Sequence, residues 1–293
     1  MGHPADVSLF PQLSLTEMMP TNGHIPKGHL LVVLKSYFDG GNKADSREYD
    51  VLSLAVGSGT PDEWAPFERD WREMLKRHHA DYSHTTDAVA RKNHYDGWTE
   101  GEADSFLRDC VRIIESHFIR LNSEYGPGQF GLYCFVVSIN LKDFVSHLQE
   151  NPGTLRDANE GCFRQAIGDV LLWASNQADC DQIHCFFDQG EPFYGYLVNI
   201  LESKKAKKDA PLLNRITART EADSRHVPAL QFADLFAWVE SHKNETWNPD
   251  WKTRILRLPY RWEWLDVNNL NDVNHAHRAA WNTWKIPKRT ATK

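Results

Sequence analysis

Three aspartates in this chain stand where a carboxylate is costly without a partner. Asp39 closes the apolar run LLVVLKSYFDGG at residues 30–41, and Asp188 closes a second one, IHCFFDQGEP, at residues 183–192. Each follows two aromatic residues and is followed within two positions by glycine, Gly40 or Gly190. In α/β sheets ligands gather at the carboxyl ends of the strands, and glycine lets the backbone turn sharply and leaves room for a ligand. Aspartate also favours the turn after a strand with no ligand present. One such end therefore carries little, whereas two matched ends point to a site.

The third carboxylate, Asp234, lies in RHVPALQFADLFAW, where a helix begins near Pro228. Leu230, Ala233, Asp234, Ala237 and Trp238 follow the i, i+3, i+4, i+7, i+8 pattern of one helical stripe, which puts Asp234 on the core side. Burying an unpaired carboxylate costs several kcal/mol. Asp234 thus calls for a cation, a hydrogen-bond network or a metal, unless it sits at a wet edge of the stripe. Gln231, one turn earlier, could orient it or contact a ligand.

Aspartates on two strand ends and one helix suit hard divalent cations, since Mg²⁺ and Mn²⁺ prefer carboxylate oxygen to imidazole or thiolate. Two such ions roughly 4 Å apart clamp the attacking and leaving oxygens of a phosphoryl transfer. Asp39, Asp188 and Asp234 are the expected metal ligands and catalytic carboxylates. His84, in DYSHTTDA, is a candidate general acid or base. Glu191 stands just past the second strand end, either in support of the site or in the first turn of a helix. Asp223 is a candidate fourth ligand or a helix cap.

The elements that must position these residues follow from the pattern of the chain. Residues 1–27 hold four prolines and little periodicity, an irregular arm. From residue 28 the chain becomes regular. His29–Phe38 reads as a strand buried on both faces, and Tyr49–Val56 as a second strand. Thr60 caps a helix with Pro61 at its first position, reaching about His79. A short strand is expected at Tyr82–Thr85, a helix from Glu102 to Leu121, a strand within PGQFGLYCFVVSINL, and a helix over Leu155–Asn176. Then come a strand at Ile183–Asp188, a helix after Pro192, a short strand at Ile216–Thr220 and a helix at Pro228–Ser241. Strands paired locally and then alternating with helices imply one mixed α/β sheet flanked by helices over residues 28–243. Residues 244–293, which hold six of the 11 tryptophans, read as a Trp-rich C-terminal extension folded onto that core.

The formal net charge of −7 argues against non-specific coating of nucleic acid, though not against an enzyme that meets it locally. The five cysteines, 110, 134, 162, 180 and 185, lack CxxC spacing and fit reduced thiols in a cytoplasm. No apolar stretch approaches the roughly 20 residues of a membrane span, and no secretory signal is evident at the start. Dinucleotide, P-loop, GxSxG and HExxH patterns are missing. The lysine run at 204–208 reads as a solvated helix end or a basic patch. WKTRILRLPYRWEW could stack bases and contact phosphates, or form a lid.

YFDGG on the first strand, FFDQGEP later and EADSRHVPALQFADLFAW near the end resemble the domain-of-unknown-function 3800 family over about residues 29–241. HADYSHTTDAVARKNHYDGW resembles its middle segment. The resemblance implies a ribonuclease-H-like fold, an aspartate ending the first strand (Asp39) and a Gln-x-x-Asp helix (Gln231 to Asp234). This chain reads Asp39-Gly40-Gly41 where members often read Asp-Glu-Ser-Gly. The pattern also expects a carboxylate on the strand beside the first, either Ile183–Asp188 or Gly131–Ile139. The function to which all this leads is a divalent-metal-dependent nuclease or phosphodiesterase acting on single-stranded or structured nucleic acid. The alternative is a non-catalytic domain of the same fold that binds a partner protein or nucleic acid.

Overall fold

The structure is a computed structural model and describes residues 32–41, 50–118, 132–150, 155, 157–176, 180–203 and 211–265. The N-terminal arm, the turn after the first strand, the lysine run and the chain past residue 265 lie outside these described residues.

A six-stranded mixed sheet is the frame. Its strands are β1 (Val32–Gly41), β2 (Val51–Gly59), β3 (Tyr133–Asn140), β4 (Cys180–Asp188), β5 (Ile216–Ala222) and β6 (Arg261–Leu265), in the order β5-β4-β1-β2-β3-β6. β1, β2 and β3 pair antiparallel as consecutive neighbours, while β4 runs parallel to β1 and β5 parallel to β4. β1 is therefore interior, as its apolar composition on both faces requires.

Helices cover both faces. On one side α5 (Ala158–Asn176) and α6 (Phe193–Glu202) pack with Leu34, Phe38, Val137 and Phe187. On the other, α7 (Pro228–Ser241) lies on β1 and β2, with α1 (Pro61–Arg77) and α3 (Glu100–His117) beyond it. α1 starts as expected: Thr60 and Glu63 form a reciprocal capping box, with Pro61 at the first position. α7 has the expected bounds but not the expected single stripe. Every residue from Pro228 to Glu240 is buried, because this helix is sandwiched between the sheet and α1. It also approaches β1 closely: a Cβ on Gly41 would lie 2.7 Å from the backbone of Ala237. Only glycine fits there, and the end of β1 is thereby pressed against the turn of α7 that follows Asp234.

Three local expectations give way. Tyr82–Thr85 is no strand; Thr85 opens the short helix α2 (Thr85–Ala90), and Tyr82 precedes it in irregular chain. A helix that the pattern did not reveal, α4 (Leu141–Glu150), follows β3 directly, with Asn140 Oδ1 accepting from the amides of Lys142 and Asp143. The sheet does not stop at residue 243. Helix α8 (Asp250–Leu256) buries Trp251 and Ile255, and β6 pairs parallel with β3 as the outermost strand. Among the described residues no helix is long and apolar enough to cross a membrane.

Candidate carboxylate site

β1 and β4 are neighbouring parallel strands with Phe38 opposite Phe187. Of the two strands left open as partners of β1's carboxylate, the neighbour is β4, and Asp39 and Asp188 leave the sheet side by side. Phe38 and Phe187 stack at 4.7 Å in the core beneath α5. Alternation along a strand then turns Asp39 and Asp188 to the opposite face, that of α7, where Tyr37 stacks on Phe186 at 4.6 Å.

Asp39 is 6 % exposed. Burial pushes its carboxyl well above the ordinary range, and the negative charges of Asp234, Asp188 and Glu191 push it further; one backbone bond from Gly40 opposes them. Glu191 is indeed beside the strand end, since a Cβ on Gly40 would lie 3.4 Å from its Oε2. Asp188 is also raised by burial, against which the amide and hydroxyl of Ser224 and the amide of Gln189 stabilise its charged form. The Ser224 amide donates to Asp188 Oδ1 at 2.9 Å. Asp234, 8 % exposed, accepts from the Thr85 amide at 2.7 Å and the Thr85 hydroxyl at 2.6 Å. Both bonds fall on Oδ2, which leaves Oδ1 for another partner.

Gln231 links the two supports. Its Oε1 accepts from Trp71 Nε1 at 2.7 Å and from the Ser83 amide at 3.0 Å, while its Nε2 donates to the Ser224 carbonyl at 2.8 Å. A continuous chain thus runs from Asp188 through Ser224, Gln231 and the Ser83–Thr85 segment to Asp234. Sequence reasoning found Gln231 and missed Thr85, Ser83, Ser224 and Trp71. Thr85 adjoins His84 and Ser224 adjoins Asp223, but no periodicity marks a hydroxyl that bonds across 149 residues, as that of Thr85 does to Asp234.

Two expected participants are engaged elsewhere. His84 Nδ1 lies 3.0 Å from Asp87 Oδ2, an ion-pair contact without hydrogen-bond alignment, and its side chain is 45 % exposed. Asp223 caps the turn that follows it, and Arg225 binds both of its oxygens. It acts as a cap and reaches Asp188 only as a nearby negative charge. Much of the aromatic-basic segment is likewise committed, while Arg257 and Trp262 are exposed. Trp251 is buried, Arg254 pairs with Glu115, and Arg261 pairs with Asp169 and Glu263 at the far edge of the sheet.

No Lys, Arg or His among the described residues lies within ion-pair distance of Asp39, Asp188 or Asp234. Nor is any group of three or more His, Cys, Asp or Glu side chains there arranged so as to hold a metal ion. The carboxylates repel one another electrostatically, and Thr85 binds one oxygen of Asp234. The donor chemistry, carboxylate and hydroxyl oxygen at a buried strand end, is that of Mg²⁺ or Mn²⁺. The chain matches no protein-family model and no curated protein.

Proposed function

We propose that this protein is a divalent-metal-dependent nuclease or phosphodiesterase with a ribonuclease-H-like fold, a member of the domain-of-unknown-function 3800 family. One observation carries the reading: Asp39 is buried among three other carboxylates with no cation beside it among the described residues. Such a charge arrangement is unfavourable unless a cation completes it or protons neutralise it. The sheet supports the fold half of the reading. Its antiparallel β1–β2–β3 unit, with β4 and β5 added in parallel on the other side of β1, places the two strand-end aspartates together.

Asp39, Asp188 and Asp234 would hold Mg²⁺ or Mn²⁺, with Glu191 alongside. Bound there, the ions would supply charge neutralisation of the phosphoryl group and a nucleophilic water. The chain itself does the rest. Thr85 fixes one oxygen of Asp234, Ser224 orients Asp188, and Gln231 ties both supports to α1 through Trp71. Burial raises the Asp39 carboxyl, so it favours the protonated form more than a free aspartate does, and a bound cation would favour the carboxylate. The free, buried thiols of Cys110, Cys134, Cys162 and Cys185 fit a reducing compartment, for which we propose the cytoplasm.

The second reading, a non-catalytic binding domain, is favoured by the bonds that hold Asp234 to Thr85 without any ion. Against it, Asp234 is not neutralised by an arginine. The deciding experiment incubates labelled single-stranded DNA and RNA with the full chain in Mg²⁺, Mn²⁺ or EDTA. We expect metal-dependent cleavage that falls by about 100-fold or more in Asp39→Asn, since removing one strong transition-state contact has that size. Equal rates in wild type and Asp39→Asn would assign any cleavage to a contaminant and favour the binding domain.

A further inference from the structure

We infer that the chain pairs with a second copy of itself along the outer edge of β5, antiparallel and centred on Thr220. This is independent of the metal reading above.

β5 ends the sheet, and among the described residues no strand lies on its outer side. Such an edge carries main-chain groups that can template pairing with another chain. Which groups face outward follows from one bond. The Gln189 amide donates to the Ala222 carbonyl at 3.0 Å, so the main-chain groups of Ala222 face β4. By alternation those of Thr220 and Ala218 do so too, and those of Arg219 and Glu221 face away from β4. In an antiparallel pair, residues that exchange both of their main-chain bonds stand opposite each other. Outward residues of one copy must therefore meet outward residues of the other, so the two-fold axis passes through a residue and not between two.

Within that restriction the side chains select the register. Residues 218–222 read Ala-Arg-Thr-Glu-Ala. Centred on Thr220, Ala218 meets Ala222 of the second copy, Arg219 meets Glu221, and Thr220 meets its own equivalent. A two-fold interface needs this self-complementarity, in which one residue contacts a second and the second contacts the first. Opposite charges directly across a strand pair favour pairing, and like charges disfavour it. One residue earlier, with the axis through Arg219, the two arginines would face each other. The charges are also available. Arg219 and Glu221 are exposed, and neither makes an ion pair within the described residues; the Arg219 guanidinium lies over the Tyr194 ring, 6.0 Å from its centre. The opposite edge of the sheet differs. β6 has the same spacing in Arg261 and Glu263, but these two pair with each other, and Arg261 also pairs with Asp169. One edge satisfies its charges inside the chain, and the other presents them. Ser224, just past β5, donates to Asp188, so a paired β5 also braces the carboxylate site.

Sedimentation velocity of the full chain over a dilution series tests this. Wild type should dimerise. Arg219→Glu sets glutamate opposite glutamate and should weaken the dimer about tenfold or more. Glu221→Arg sets arginine opposite arginine and should do the same. Both positions are exposed, so each variant should melt near the wild-type temperature. Mixing the two variants should form a heterodimer, because every glutamate then faces an arginine. The double variant Arg219→Glu/Glu221→Arg should dimerise as wild type does. A wild type that stays monomeric at its highest soluble concentration would overturn the inference. So would single variants that dimerise like wild type, or a mixture that fails to associate. The Mn²⁺-induced rise in melting temperature decides separately whether the carboxylate site stands.

Discussion

Two groups of buried acids lie on opposite faces of one sheet, and only one of them is balanced. On the α5 side, Asp169 faces Glu263 from β6, but Arg261 lies 3.2 Å from its Oδ1 and Gln165 bonds Glu263. Burial and the Glu263 charge raise Asp169 to about 7, and Arg261 and Gln165 restrain the rise. On the α7 side, Asp39 meets Asp234, Asp188 and Glu191 with a single backbone bond in opposition, and its carboxyl is raised well above the usual range. A protein that needed acids only for packing would balance them as it does around Arg261. The unbalanced group is the one at the strand ends, where ligands bind in α/β sheets. The difference separates acids that hold an element, here β6, from acids with no balancing cation among the described residues.

The largest effect should come from cutting the support common to the unbalanced group. Gln231→Leu leaves the Trp71 indole N–H, the Ser83 amide and the Ser224 carbonyl without this partner in a buried region. At about 1–3 kcal/mol for each unsatisfied group, urea unfolding should report a loss on the order of 3 kcal/mol or more. A loss under about 1 kcal/mol would mean that water or a neighbour replaces Gln231, and that the chain from Asp188 to Asp234 is not continuous.

Next is the pH dependence of the balanced group. Asp169 is raised in the folded state, so its contribution to stability is fully present below its unfolded value near 4 and is lost as pH rises through about 7. Asp169→Asn should therefore flatten stability between pH 5 and 8 by roughly 2–4 kcal/mol. Asp39→Asn should act in the same direction. The two groups part when Mn²⁺ is added: the ion should restore stability at high pH through the Asp39 group and change nothing through Asp169. If Mn²⁺ also stabilises at Asp169, the comparison breaks.

Smaller effects sharpen the account of α2. Thr85→Val removes a hydroxyl bond to a charged carboxylate and should cost about 1.5–3 kcal/mol in urea unfolding. His84→Ala, one residue away, removes a half-buried contact with Asp87 that lacks hydrogen-bond alignment and should cost under about 1 kcal/mol, with no change in Mn²⁺ binding. A metal effect at His84 larger than that at Thr85 would reinstate the histidine as a participant.

Much of this frame was legible because it is local. Pro228 and the run after it set the bounds of α7; Thr60, Pro61 and Glu63 set the start of α1; and the aspartates ending β1 and β4 were visible as matched strand ends. What was not legible depends on tertiary choice. No local signal says that β1 takes β4 as its parallel neighbour. Asp234 was read on a one-sided stripe because the burial of a helix on all sides depends on what packs beyond it. Tyr82–Thr85 carries strand-like residues, yet Thr85 is fixed by its bonds to Asp234 and opens a helix. In RWEWL the alternation that makes β6 is present, but the density of tryptophan suggested a lid.

The central claim is that Asp39, Asp188 and Asp234 await a shared divalent cation, and thermal melting with Mn²⁺ tests it most directly. A ligand that binds only the folded state raises stability by RT ln(1 + [L]/Kd), about 2.7 kcal/mol at a hundredfold excess over Kd. The account predicts a saturable rise in melting temperature for wild type, absent from Asp39→Asn and Asp188→Asn and intact in Asp169→Asn. No rise in wild type, or an equal rise in all four proteins, would contradict it.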